Sequence, residues 1–199
     1  MGKKSNKYDY VYKLTFSPDS QHFAYIAKKE GKDIVVLDGK ESKKYDNVYD
    51  FIFSPDGQHF AYIASKEGKN VVVLDGEEGE QYDSIYDFAF SPDSRRFIYR
   101  AQKEEKEIVV INKKEGKKYD YINEGSFTFS PDGQHFAYIA GKDCIYYNDN
   151  ECSKYFIVLD NKESEEYDKI YQFNFLENNK ILIYFALKNN EIWRIVEEL

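Results

Sequence analysis

No apolar run in the 199-residue chain approaches the length of about 20 residues that a helix needs to cross a bilayer, so no membrane span is expected. The opening MGKKSNKYDY is charged but is followed by no apolar segment, so no secretory leader is visible. If Met1 is the native start, a cytoplasmic location is expected; if Met1-Gly2 replaced a removed leader, a periplasmic or secreted one is. Cysteine is scarce: Cys144 and Cys152 stand eight positions apart, which fits neither a disulfide scaffold nor a zinc signature. They would cross-link one loop after export and remain free thiols in a reducing cytosol. Positive charge is also short, with 28 Lys and Arg against 36 Asp and Glu and a net charge of −8. That deficit argues against nucleic acid, whose affinity for proteins comes largely from basic side chains neutralising phosphates. Glycine (11), proline (4), methionine (1) and tryptophan (1) are all sparse. What is abundant is tyrosine (19) and phenylalanine (15), and aromatic and β-branched enrichment with scattered turn residues favours strands.

The chain repeats itself. FSPDGQHFAYIA at 53–64 recurs at 129–140, as FSPDSQHFAYIA at 16–27, and as a worn FSPDSRRFIYRA at 90–101. Tyr8-Asp9, Tyr45-Asp46, Tyr82-Asp83, Tyr119-Asp120 and Tyr167-Asp168 are spaced by 37, 37, 37 and 48 residues. Each unit reads as an apolar strand A (VYDFIFS), a Ser-Pro-Asp-Gly turn, strand B (QHFAYIAS), a polar loop, strand C (NVVVLDG) and a short polar strand D (EEGEQYD). Four short antiparallel strands per unit of about 40 residues predict the blade of a β-propeller. In strand B, Phe60 and Tyr62 face one way and Ala61 and Ile63 the other. The bulky face is therefore expected to pack onto the flatter face of the next blade.

The fold class expected is all-β: a single five-bladed propeller over 1–199, with units at 10–46, 47–83, 84–120, 121–168 and 169–199. The fifth unit lacks a strand D and the N-terminus has a surplus one. Residues 3–9 are predicted to pair with residues 191–197, so that the N-terminal strand completes the C-terminal blade and closes the ring.

FSPDG opening a hairpin, at Phe16–Ser20, Phe53–Gly57, Phe90–Ser94 and Phe129–Gly133, resembles the TolB-like class of WD-type β-propeller repeats. The fifth unit, Phe175 to Asn179, has lost the motif but keeps turn-forming Asn. The resemblance covers essentially the whole chain. It implies the propeller fold and one of several roles: protein-docking scaffold, ligand binder or gate on a peptidase.

The repeated polar residues read as structure. Ser17, Ser54, Ser91 and Ser130 each sit in their own turn, with no common base, so no catalytic residue is assigned. His22, His59 and His135 occupy one repeat position on separate blades and cannot converge on one ion, and the Asp of each Tyr-Asp pair reads as a turn cap, so no metal or other cofactor is expected. Function is sought where the copies disagree. Tyr12, Tyr49, Tyr86 and Tyr171 open strand A, and the next positions, Lys13, Asp50, Asp87, Ser126 and Gln172, differ from blade to blade. They are expected to ring the channel mouth on the D–A/B–C loop face. Arg100 stands where other units have Ile26, Ile63, Ile139 or Phe185; it is expected to pair with Asp87 or Asp50, or to meet a ligand. Unit 4 adds a longer B–C loop bearing Tyr146, Tyr147, Asn148 and Asp149. The function expected is a non-catalytic, monomeric scaffold for a protein or peptide partner, with tyrosines giving contact area and polar groups orientation. A small polar ligand or glycan is the alternative, as in a lectin with near-equivalent pockets between blades. A glycoside hydrolase would need a close carboxylate pair such as Asp50 and Asp87.

Overall fold

Every repeat folds into its own antiparallel sheet, and the computed structural model describes residues 8–145, 151–176 and 180–199. Repeat 1 forms β1 (Tyr10–Phe16), β2 (Phe23–Lys29), β3 (Lys32–Leu37) and β4 (Lys40–Glu41). Repeat 2 forms β5 (Asn47–Phe53), β6 (Phe60–Lys66), β7 (Lys69–Leu74) and β8 (Glu77–Tyr82). Repeat 3 forms β9 (Ser84–Phe90), β10 (Phe97–Lys103), β11 (Lys106–Ile111) and β12 (Lys114–Tyr119). In repeat 4, strand A is broken into β13 (Tyr121–Ile122) and β14 (Thr128–Phe129), followed by β15 (Phe136–Ile145), β16 (Glu151–Leu159) and β17 (Lys162–Glu163). Repeat 5 has only β18 (Lys169–Phe175), β19 (Ile181–Lys188) and β20 (Glu191–Glu198). Strands pair in sequence order within each sheet, strand A at one edge, and no helix occurs among the described residues.

The Ser-Pro-Asp turn is closed by its own side chains. In repeat 2 the Gly57 N–H donates to the Ser54 carbonyl at 2.9 Å, and the Ser54 hydroxyl donates to Asp56 at 2.6 Å while accepting the His59 N–H at 2.9 Å. The fourth turn position is left-handed in all four copies: Ser20, Gly57, Ser94 and Gly133. At two of them glycine also leaves room for a neighbouring carboxylate. A Cβ on Gly57 would lie 2.6 Å from the Asp19 carboxylate, and one on Gly133 would lie 2.7 Å from that of Asp93.

Strand D varies in length for a local reason. In repeats 1 and 4 the hydroxyls of Ser42 and Ser164 accept the strand C N–H groups of Val35 and Ile157, so a side chain replaces the ladder and the strand stops after two residues. Gly79 and Gly116 hold those positions in repeats 2 and 3, and strand D runs for six residues.

The chain divides into two compact units, Met1–Ile85 and Tyr86–Leu199. In the first, Phe51, Phe60, Tyr62 and Val73 of repeat 2 pack on Ala24, Ile26 and Val35 of repeat 1. In the second, Phe136, Tyr138 and Phe156 of repeat 4 pack on Ile98 and Val109 of repeat 3, while Leu182, Tyr184 and Ala186 of repeat 5 pack on Ala137, Ile139 and Ile157 of repeat 4. The bulky face thus meets the flat face of the preceding repeat, the reverse of the expected direction. The reason is the entry tyrosine: Tyr45, Tyr119 and Tyr167 lie edge-on to Tyr62, Tyr138 and Tyr184, against the sheet that the chain is about to build.

Tyr8 takes the same place on repeat 1, edge-on to Tyr25 with its hydroxyl on Glu41. Of the strand predicted at 3–9 to pair with 191–197, residues 3–7 lie outside the described residues.

Candidate functional site

The repeated Asp of three Tyr-Asp pairs is a turn cap. Asp46, Asp120 and Asp168 accept the N–H groups of Glu67, Asp143 and Asn189 and pair with Lys32, Lys106 and Lys154. The lysine hydrogen bond and that backbone N–H hold all three carboxyls below the usual range. The histidines pair one to one with strand C carboxylates: His22 with Asp38 at 2.6 Å, His59 with Asp75 at 2.8 Å and His135 with Asp160 at 2.6 Å. Ser17, Ser54, Ser91 and Ser130 are buried, with their hydroxyls engaged inside the turns.

The positions that vary between repeats fall into three groups. In the first unit, Lys13 and Asp50 form an ion pair between strands A of repeats 1 and 2, and Tyr49 is exposed. Tyr12 is half-buried and donates to Asp33 at 2.6 Å. Burial first, and that hydrogen bond second, push its phenol well above the ordinary range. Asp33 is itself only 3% exposed and also accepts the Val48 N–H, pinning the start of the next strand A.

The second group, in the second unit, surrounds Arg100. Its side chain is buried, with Nη1 donating to the Ile122 carbonyl at 2.9 Å and to Glu107 at 3.5 Å. Its Nε lies 3.2 Å from Asp87 but off the line of a hydrogen bond, so those two interact as charges. The guanidinium stacks 4.4 Å from the Tyr86 ring, whose hydroxyl donates to Gln102. The structural pairing with Asp87 is therefore what the structure contains. Glu107 escaped the sequence reading. It accepts the Ile122 N–H at 2.6 Å, and burial pushes its carboxyl up against the opposing effects of that bond and of Arg100. The signal was present at one repeat position of strand C, where Asp33, Asn70, Glu107 and Tyr155 stand in repeats 1 to 4.

The third group lines a depression of about 360 Å³ between the broken strand A of repeat 4 and β18. Asn123, Glu124 and Ser126 form one wall, and Tyr171, Gln172 and Asn174 the other. The break is held by Ser126, whose N–H and hydroxyl both donate to the Asn123 carbonyl and whose oxygen accepts the Ile139 N–H. Tyr171 is half-exposed beneath Lys169. At this same end of the sheet β15 and β16 run on past strand A, and Cys144 and Cys152 face one another and are joined as a disulfide. Tyr146, Tyr147, Asn148 and Asp149 lie outside the described residues.

At the opposite end, two grooves recur between successive sheets: one of about 550 Å³ between repeats 3 and 4 and one of about 450 Å³ between repeats 4 and 5. No group of His, Cys, Asp and Glu suited to a metal ion is found among the described residues.

No family model and no curated protein matches the chain in sequence. Among solved structures, the β-propeller domain of the Trilobed protease from Pyrococcus furiosus is similar over 96% of this chain and 69% of its own, with a TM-score of 0.55 at 13% identity. The fold is that of a β-propeller. TolB from Acinetobacter baumannii is 14% identical over 96% of this chain, with a TM-score of 0.46. The acylaminoacyl peptidase of Pyrococcus horikoshii is 12% identical over 96% of this chain, with a TM-score of 0.47. The chain spans 52% of the TolB chain and 39% of the peptidase. Each sheet is thus a propeller blade, and at these identities the likeness extends to the fold alone.

Proposed function

We propose that this propeller is a non-catalytic module that docks a protein or peptide partner on the D–A/B–C loop face of repeats 4 and 5. The observation that carries the reading is the break in the blade pattern there. Strand A of repeat 4 opens into a polar depression, the neighbouring Tyr171 is half-exposed, and a clasped hairpin extends beyond it. Loops that depart from a regular scaffold are where binding surfaces are built. The depression offers amide and hydroxyl groups beside one aromatic face, a set that suits main-chain and polar side-chain groups of a peptide. Tyr86 and Asp87 hold Arg100 in place rather than contributing it to a ligand. The Cys144–Cys152 bridge supports a location in an oxidising compartment.

Panning a displayed peptide library against the chain tests the reading. Enriched peptides are expected to lose at least about tenfold in affinity for the Tyr171→Ala, Gln172→Ala double variant. Failure to enrich, or affinity unchanged by that variant, overturns it.

A glycan reading has one observation in its favour, the recurrence of equivalent inter-blade grooves in the second unit. It predicts more than one site per chain by calorimetry, against one for the docking face.

A further inference from the structure

Three repeats close the A–B/C–D end of the blade with the same device, a histidine paired to an aspartate. The aspartate also accepts the N–H of the following strand B residue: Asp38 from Phe23 at 3.0 Å, Asp75 from Phe60 at 2.9 Å and Asp160 from Phe136 at 3.1 Å. Repeat 3 changes both partners at once, to Arg96 and Asn112. Asn112 still accepts the Phe97 N–H at 2.9 Å, so the structural half of the device survives while its negative charge is gone. In place of a titratable imidazole ion-paired to its aspartate stands a permanent guanidinium, which, after the Ser91 hydroxyl, acts on the Asp93 carboxyl as a nearby charge and lowers it. Among the described residues neither Arg96 nor Lys114 has an ion-pair partner.

Both line the groove between repeats 3 and 4, together with Gly116, Lys117 and Asn161. Lys117 lies 3.3 Å from Glu163, and Glu115, the carboxylate in the lining, is paired with Lys103 at 3.2 Å. The equivalent groove one repeat later has the same form and the opposite sign: Asp160, Glu163, Glu197 and Glu198 face only His135 and Lys162. These two grooves therefore share a shape, whereas the positive charge belongs to one of them, in a chain of net charge −8.

We infer that the groove between repeats 3 and 4 binds a compact anion, its carboxylate or phosphate held by the Arg96 guanidinium. The planar fork of an arginine suits both groups, which accept two parallel hydrogen bonds. Lys114 and Lys117 add positive potential, and the amides of Asn112 and Asn161 serve polar groups attached to the anion. A volume of about 550 Å³ holds a sugar-sized molecule rather than a bare ion. The site lies at the opposite end of the strands from the docking face and does not depend on it.

Calorimetry at low ionic strength with glucuronate, glucose 6-phosphate and neutral glucose tests the inference. At least one anion is expected to bind in the roughly millimolar range, more weakly as salt is added, and glucose is expected not to bind. Which anion binds separates a carboxylate from a phosphate ligand. The double variant Arg96→His, Asn112→Asp restores the pair that folds in three other repeats and is expected to weaken binding at least about tenfold. The exposed Lys114→Glu is a second variant expected to weaken it in the same direction. The absence of any anion binding, equal affinity for glucose, or unchanged affinity in both variants overturns the inference.

Discussion

Arg100 shows how one residue can look like a ligand-binding group in sequence and act as a girder in structure. Its guanidinium is enclosed by Asp87, Glu107, the Ile122 carbonyl and the Tyr86 ring. Removing one member of a buried charged network strands the others. Arg100→Ile, which imitates repeats 1, 2 and 4, is therefore expected to cost roughly 3 kcal/mol in denaturant unfolding. Adding Glu107→Asn, which imitates Asn70 of repeat 2, should recover most of that loss. Titration acts at the same scale, with two opposite signs. The hydrogen bond that His22 donates to Asp38 raises the His22 pKa, so its contribution is complete below about 6.5 and is lost as pH rises through the folded value. The Ser17 hydroxyl lowers Asp19, and the lysine bonds lower Asp46, Asp120 and Asp168; those contributions are present above 3.8 and are lost as pH falls through the folded values. Thermal melts are expected to decline steeply in acid below about pH 4 and only slightly above about pH 6.5. The slight alkaline decline should shrink in His22→Asn.

At the scale of elements, the strands and turns were legible because their signals are local: alternation, Ser-Pro-Asp, and a left-handed fourth position. The direction of sheet packing was not, because alternation says that both faces are apolar and not which neighbour each one meets. Nor was the break in strand A of repeat 4, since Asn-Glu-Gly-Ser reads equally well as a longer loop before an intact strand. The Ser126 bonds to Asn123 and Ile139 decide it, and they are tertiary facts. Turn glycines invite a direct test. Gly57→Ala places a methyl group against Asp19 in a left-handed conformation and is expected to destabilise by about 1–2 kcal/mol. Gly31→Ala, also left-handed but with open space around it, should cost less in the same melt. The hairpin clasp has its own glycine. A Cβ at Gly141 would lie 2.4 Å from the Cys152 sulfur, so Gly141→Val is expected to leave two thiols that label without reductant, where the parent chain gives none.

Across the whole molecule, periodicity carried the fold and irregularity carried the candidate sites. Spacings of 37 residues were enough to count the blades, since each copy has to bury the same faces. The sites were half legible. Gln172 was singled out by its difference from other copies, whereas Glu107 and the Arg96–Asn112 exchange needed the partner strand to be placed beside them. Lys13 was selected by the same variation yet pairs with Asp50. A position can differ between copies because its neighbour differs, and one sequence alone does not separate that from ligand contact.

Within each unit, the entry tyrosines give the joints between sheets an optical label. Burial raises the phenols of Tyr45, Tyr119 and Tyr167 and of their edge-on partners Tyr62, Tyr138 and Tyr184, with Tyr138 pushed up to about 12. These rings stay protonated, and dark at the tyrosinate absorbance band, in alkali that ionises an exposed phenol. Spectrophotometric titration into alkali would then report on these joints, and one pried apart by mutation would announce itself as a pair of tyrosines ionising in the range of exposed phenols.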